Sequence, residues 1–222
     1  MGCYGNNVGQ LDCPADVTYL NDDNVLVVDE VNHCIQQFNV QTGNSVKSFG
    51  KRGTRDGEFL SPVSVCVDEE GRVIVADYLN NRIQVLAQDG EPLFQFGNSG
   101  PVKLSNPTSC IYHESKFIVS DWGNNCLKVF DNTGKFLFKI GEPGKGDGQL
   151  RGPDGLCLQK CGNHHNLLVA NSLNGRVDQF TVEGCFTGKT VVKLQDPTII
   201  TTTPDGLVLV TDFKTKKIHI LK

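Results

Sequence analysis

Four aspartates close apolar runs at a regular interval: Val25-Leu-Val-Val-Asp29, Val73-Ile-Val-Ala-Asp77, Phe117-Ile-Val-Ser-Asp121 and Val208-Leu-Val-Thr-Asp212, with Leu167-Leu-Val-Ala-Asn171 in the same pattern. Carboxylates at strand ends beside loop mouths are material for acid–base chemistry or cation binding. Their repetition argues for another role, because one short acidic side chain per repeat can accept hydrogen bonds from the turn that follows. The thiols and imidazoles divide in the same way. Cys157-x-x-x-Cys161-x-x-His164-His165 has ligand-like density, but the spacing fits no common zinc module and Cys157 falls in a strand-like run. Cys66, Cys110 and Cys157 follow prolines closely, and Cys34 and Cys126 share one repeat position, the pattern of small buried thiols. His33, His113, His164, His165 and His219 occupy unrelated repeat positions. No catalytic residue, metal ligand or cofactor is therefore assigned.

A second constellation points to binding. Tyr78, Trp122 and Phe213 each follow one of the repeated aspartates, with Arg82 near the first and Lys214, Lys216 and Lys217 near the last. Aromatics with basic neighbours can stack nucleobases or anchor a protein partner. Lys51, Arg52 and Arg55 in one linker and Arg176 in a later turn extend the basic group.

The elements that must carry these residues follow from an internal repeat. An apolar residue stands three places before Pro14, Pro62, Pro107, Pro153 and Pro197, giving proline spacings of 48, 45, 46 and 44. Each proline leads a strand-like run, and a second run ends on the Asp or Asn. The continuous apolarity of that second run means burial on both faces. Three residues further on come Asn32, Asn80, Asn124, Asn174 and Thr215, and pairs such as Asn80-Asn81 and Asn174-Gly175 suit positive φ in tight turns. A third run ends at Phe38, Leu86, Phe130, Phe180 and Leu221, and a fourth closes at Phe49-Gly50, Phe96-Gly97 and Ile140-Gly141. Four strands per repeat of this length make the blade of a β-propeller.

The pattern apolar-x-x-Pro, then Val-x-Val-Ala-Asp, then x-x-Asn-x-x-Ile-x-Val-Phe resembles the NHL repeat, clearest from Phe59 to Leu86 and from Leu104 to Phe130. Propellers of this type resemble the C-terminal domains of tripartite-motif (TRIM-NHL) proteins. The fourth repeat departs from the pattern, with Asn171 for Asp and no closing glycine after Lys189 to Lys193. The expected fold is all-β: five four-stranded antiparallel blades covering residues 11–58, 59–103, 104–149, 150–193 and 194–222, with residues 1–10 completing the last blade around Tyr4-Gly5. A six-bladed parent is the alternative, since TRIM-NHL propellers usually have six blades.

Composition narrows the function. The chain has 222 residues, and its formal net charge of −4 gives no overall attraction to nucleic acid, so DNA is not expected as a partner. No apolar run approaches the ~20 residues that cross a bilayer, and the first residues do not read as a secretory signal. Asn6 stands where N-myristoylation wants Ser or Thr. Nine cysteines without a leader read as reduced thiols, which places the chain in the cytoplasm. Within each blade, the turns between first and second strands collect acids such as Asp22, Asp23, Asp68, Glu69 and Glu70. The opposite loops are more basic.

The resemblance implies a non-catalytic module that recruits a protein partner or substrate through the basic loops, any ubiquitin ligase activity residing in other domains. Single-stranded RNA on the same face is the alternative, as several NHL propellers bind it. A propeller hydrolase or lyase is the remote one. The residues expected to carry binding are Tyr78, Arg82, Trp122, Arg176, Phe213, Lys214, Lys216, Lys51, Arg52 and Arg55.

Overall fold

The computed structural model describes residues 2–221. It is an all-β propeller of five small sheets, with strands following one another in chain order within each sheet. Blade one comprises Pro14–Asn21, Asn24–Asp29, Cys34–Asn39 and Ser45–Phe49. Blade two comprises Pro62–Val67, Val73–Asp77, Arg82–Leu86 and Pro92–Phe96. Blade three takes Pro107–His113, Lys116–Asp121, Cys126–Asp131 and Phe136–Ile140, and blade four takes Pro153–Cys161, His164–Asn171, Arg176–Thr181 and Phe186–Lys193. Blade five has three strands among the described residues, Pro197–Thr202, Val208–Asp212 and Lys217–Leu221.

By internal contacts the chain divides into two compact units, residues 1–117 with 132–135, and residues 118–131 with 136–222. In the first, the seam between blades one and two is filled by Leu26, Val28, Ile35, Phe59, Val65, Val73, Val75 and Leu86. In the second, Cys157, Leu168, Ala170, Val177, Ile200, Val208 and Val210 form the equivalent core. These side chains come from both faces of the second strands, which explains why those strands are apolar without alternation.

The prolines open the first strands as expected. The residue closing each turn after the second strand is left-handed: His33, Asn81, Asn125, Gly175 and Lys216 have φ between 54° and 63°. Asn and Gly tolerate that conformation best. In three blades the turn is a single 3-10 turn, at Tyr78–Asn80, Trp122–Asn124 and Ser172–Asn174.

The N-terminal expectation is corrected. Cys3–Tyr4 pairs in parallel with Gln10–Leu11, and the same fold-back recurs where Glu142–Pro143 meets Gln149–Leu150 and where Arg52 bridges Phe59. Residues 3–11 are thus a linker leading into blade one, not the outer strand of blade five. The register makes the reason plain. A Cβ on Gly2 would sit 2.9 Å from Leu11, as one on Gly50 would sit 2.4 Å from Phe59, so Gly2 and not Gly5 occupies the position of Gly50. The outer edge of Lys217–Leu221 carries Ile218 and Ile220 at 68% and 65% exposure, while the equivalent Ile83 and Val85 are fully buried beneath Pro92–Phe96.

Candidate interaction site

The repeated carboxylates are structural in the described blades. Asp77, fully buried, accepts the Leu60 N–H at 2.7 Å, the Asn80 amide at 2.8 Å and the Arg82 guanidinium at 2.7 Å. Asp29 accepts the N–H groups of Asp12 and Cys13 and the Asn32 amide. Asp212 accepts those of Gln195, Asp196 and Thr215, and these bonds hold its carboxyl below the usual range against the opposing effect of burial. Asp121 meets Asn124 at 2.8 Å and Lys128 at 2.6 Å. Each acid ties the linker or turn beside it to its blade, a role that needs no ligand.

Blade four does the same with its charge moved. Asn171 accepts the Arg151 N–H through Oδ1 and donates to Asp178 at 2.8 Å, while Arg176 donates to Asp178 at 2.7 Å. Asp178 stands at the position of Gln36, Gln84 and Lys128, seven residues after the carboxylate of the other blades. The sequence flagged Asn171, but the compensating Asp178 went unread.

Two of the expected binding residues are built into this framework. Arg82 is 1% exposed and donates to Asp77, Gln95 and the carbonyls of Thr54, Arg55 and Glu58. Arg176 donates to Asp178 and to the carbonyls of Lys145, Gly146 and Gln149. Both guanidiniums cap linker loops that lie 24 to 31 residues away in the chain, and neither is presented to solvent for a partner. Arg55 is exposed yet paired with Glu58 at 2.7 Å, a contact that holds the Glu58 carboxyl down at about 2, and Lys51 lies 3.7 Å from the same carboxylate. Arg52 is exposed beside them.

What the turns do present is apolar. Val31 and Leu79 in the first unit are 51% and 48% exposed, and Leu173 and Phe213 in the second are 49% and 62%. The turns bearing them are pinned to the preceding linkers by backbone bonds, Leu79 N–H to Leu60, Leu173 N–H to Arg151 and Phe213 N–H to Asp196. Tyr78 and Trp122 are half-buried, and the Trp122 indole lies against Gly152 and Leu173's neighbourhood. Lys216 sits 3.7 Å over the Phe213 ring, with exposed Lys214 in the same turn. The second residue of three of the five turns was the signal missed, since aliphatic Val31, Leu79 and Leu173 recur there.

The remaining candidates are not assembled into a centre. No cluster of three or more His, Cys, Asp or Glu side chains able to hold a metal occurs among the described residues. Cys161 faces His164 across a hairpin, whereas Cys157 pairs with Leu168 inside the core, its thiol pushed up to about 12 by burial. One inner-strand acid was overlooked. Asp16 accepts the Val65 N–H at 2.9 Å, joining blade one to blade two, and burial raises its carboxyl.

Against known proteins, the family model described as NHL repeat matches residues 11–38 and 59–86, the halves of blades one and two that hold the carboxylate and its turn. Those two segments are thus NHL-type repeats. A model described as a 6-bladed beta-propeller matches residues 101–164. Over 45 residues the chain is 53% identical to Protein lin-41 of Caenorhabditis elegans, covering 20% of this chain and 4% of that protein. It is 51% identical over 43 residues to E3 ubiquitin-protein ligase TRIM71 of Xenopus tropicalis, 19% of this chain and 5% of that one. Protein brain tumor of Drosophila melanogaster matches at 42% over 52 residues, 23% and 5% of the respective chains. The matched segments thus span only a small part of these long relatives. Among solved structures, a nidogen/laminin complex superimposes with a TM-score of 0.73 at 19% identity over 93% of this chain and 74% of that one. Virginiamycin B lyase from Staphylococcus aureus does so at 0.70 and 15%, over 96% and 72%. At these identities the likeness is one of fold. No helix is long and apolar enough to cross a membrane among the described residues.

Proposed function

We propose that this NHL propeller is a non-catalytic docking module that holds a protein partner on its loop tips. The observation that carries this is the exposure of Val31, Leu79, Leu173 and Phe213 on turns already pinned by backbone hydrogen bonds. Apolar side chains held in place bind at little ordering cost, and aliphatic and aromatic anchors surrounded by polar neighbours suit a polypeptide surface. Similarity to a ubiquitin-protein ligase supports recruitment of a substrate, with transfer chemistry in domains outside this chain. The cytoplasm is the compartment consistent with nine unpaired thiols.

Single-stranded RNA is the second reading, favoured by the Lys216–Phe213 stack. It is weakened by the loss of Arg82 and Arg176 to internal carbonyls, which lowers the charge available to phosphates. The test compares wild type with Leu79→Glu and Leu173→Glu in quantitative capture of interacting proteins, alongside random RNA at two salt concentrations. Protein capture lost in both variants with no salt-sensitive RNA retention is the expected result. RNA retention abolished by Lys216→Ala with unchanged protein capture would overturn it.

A further inference from the structure

We infer that the seam between blades one and two contains a pocket for a carboxamide side chain, Asn or Gln, of a peptide. An open cavity of about 550 Å³ lies there, lined by Leu20, Asn21, Gln37, Lys47, Gln88 and Asp89 among others. It is at the end of the blades where first strands turn into second, away from the tips discussed above. The volume falls within the range of small-ligand sites.

The cavity lies where blade one departs from blades two and three, as blade four also does with Gln179. Gln37 pairs with Lys47 across the third and fourth strands, where blade two pairs Val85 with Phe94 and blade three pairs Val129 with Phe138. In blade two the ring of Phe94 packs on Phe96 and Phe117 at 6.4 and 6.3 Å, filling the corresponding seam. In blade one a Gln–Lys pair replaces that plug and leaves space. Gln37 is 8% exposed, and its amide has no hydrogen-bond partner among the described residues. The amide opens onto the cavity, where a ligand's polar group can take the place of water. Lys47 donates one hydrogen to the Gln88 carbonyl at 3.2 Å, lies 5.7 Å from the Phe49 ring centre, and keeps further N–H donors.

The chemistry selects the occupant. Gln37 offers a donor and an acceptor side by side, which a carboxamide matches in both directions. A carboxylate would set its oxygen against the Gln37 oxygen. Asp89 in the lining, with Asp22 and Asp23 in the hairpin after Asn21, adds repulsion toward any anion despite Lys47. Leu20 and Ala87 provide an apolar wall for methylenes.

The experiment titrates the whole chain with N-acetylglutamine methylamide and, separately, N-acetylglutamate methylamide, following the Gln37 side-chain amide by ¹H–¹⁵N NMR. Saturable binding of the glutamine probe with a Kd of about 1 mM is expected, as for one small side chain, with at least fivefold weaker binding of the glutamate probe at low salt. The double change Gln37→Val with Lys47→Phe gives blade one the residues of blade two, so it should keep the fold and weaken glutamine binding more than tenfold. Absence of saturation by 10 mM probe, equal or tighter glutamate binding, or unchanged affinity in the double variant would each overturn the assignment.

Discussion

Replacing Asn171 by Asp tests the account of the buried carboxylates most directly, because it would put two acids where the structure has an amide and an acid 2.8 Å apart. If both were charged, their repulsion at that distance and an effective dielectric near 20 would be about 6 kcal/mol. Sharing a proton is cheaper. Drawing a carboxyl with an ordinary pKa near 4 into its neutral form at pH 7 costs about 4 kcal/mol, which sets the ceiling. Arg176, 2.7 Å from Asp178, offsets part of that. Asn171→Asp should therefore destabilise by about 2–4 kcal/mol at pH 7, read by urea unfolding followed by circular dichroism. The pair's folded pKa is raised, so its penalty grows as pH rises and shrinks by about 1.4 kcal/mol for each unit of acidification toward pH 5. Adding Asp178→Gln rebuilds the Asp77, Arg82 and Gln84 arrangement of blade two and should bring stability back to within about 1 kcal/mol of wild type, a coupling a double-mutant cycle measures. A neutral single variant at pH 7, or a double variant no better than the single, would refute the reasoning.

Three further outcomes follow from the same geometry. Arg82→Ala, by stranding the Asp77 carboxylate and three linker carbonyls, should cost about 3–5 kcal/mol and speed hydrogen exchange across residues 53–60; a loss of partner binding without a loss of stability would show that the side chain is a contact residue after all. The His33 ring accepts the Ser61 N–H through Nδ1, and burial with Arg52 nearby lowers its pKa. Its neutral form favours the fold, so stability should be full above the ordinary histidine value near 6.5 and decline as pH falls below it. His33→Asn, the residue found at Asn81 and Asn125, should keep the bond and flatten that profile in pH-dependent melts. Thiol labelling of the native chain at pH 8 should be rapid at exposed Cys3, Cys161 and Cys185 and slower at Cys13, whose thiol is raised by desolvation and Glu30. Cys126 and Cys157, pushed up to about 11 and about 12, should label only after unfolding, as mass spectrometry of peptides would report.

The architecture was legible because it is written five times. The prolines that open Pro14–Asn21 and Pro62–Val67, and the runs ending on Asp29 and Asp77, mark strands by local chemistry that every blade repeats. Failures came where position in the repeat says nothing about distant partners. Arg82 and Arg176 look like rim cations because the carbonyls they cap belong to linkers some 24 to 31 residues earlier. Tyr4-Gly5 resembles a strand ending in glycine, and only the packing of Leu11 on Gly2 shows the true register. Asp16, inside Pro14–Asn21, was hidden because its partner, the Val65 N–H, lies in the next blade 49 residues on. The apolar tips recur at Val31, Leu79 and Leu173, but an aliphatic side chain in a turn carries no local sign of whether it is exposed.

The tie between each carboxylate and the linker preceding its blade changes where a transplantable piece begins. Leu60 and Gly53 are bound by Asp77 and Asn80, so the stretch from Lys51 onward belongs energetically to blade two although it looks like a connector from blade one. Anyone building chimeras or consensus arrays from this chain should cut just after Gly50 and Gly97. A cut at the prolines would discard the very segment that each blade needs to close over its own buried charge.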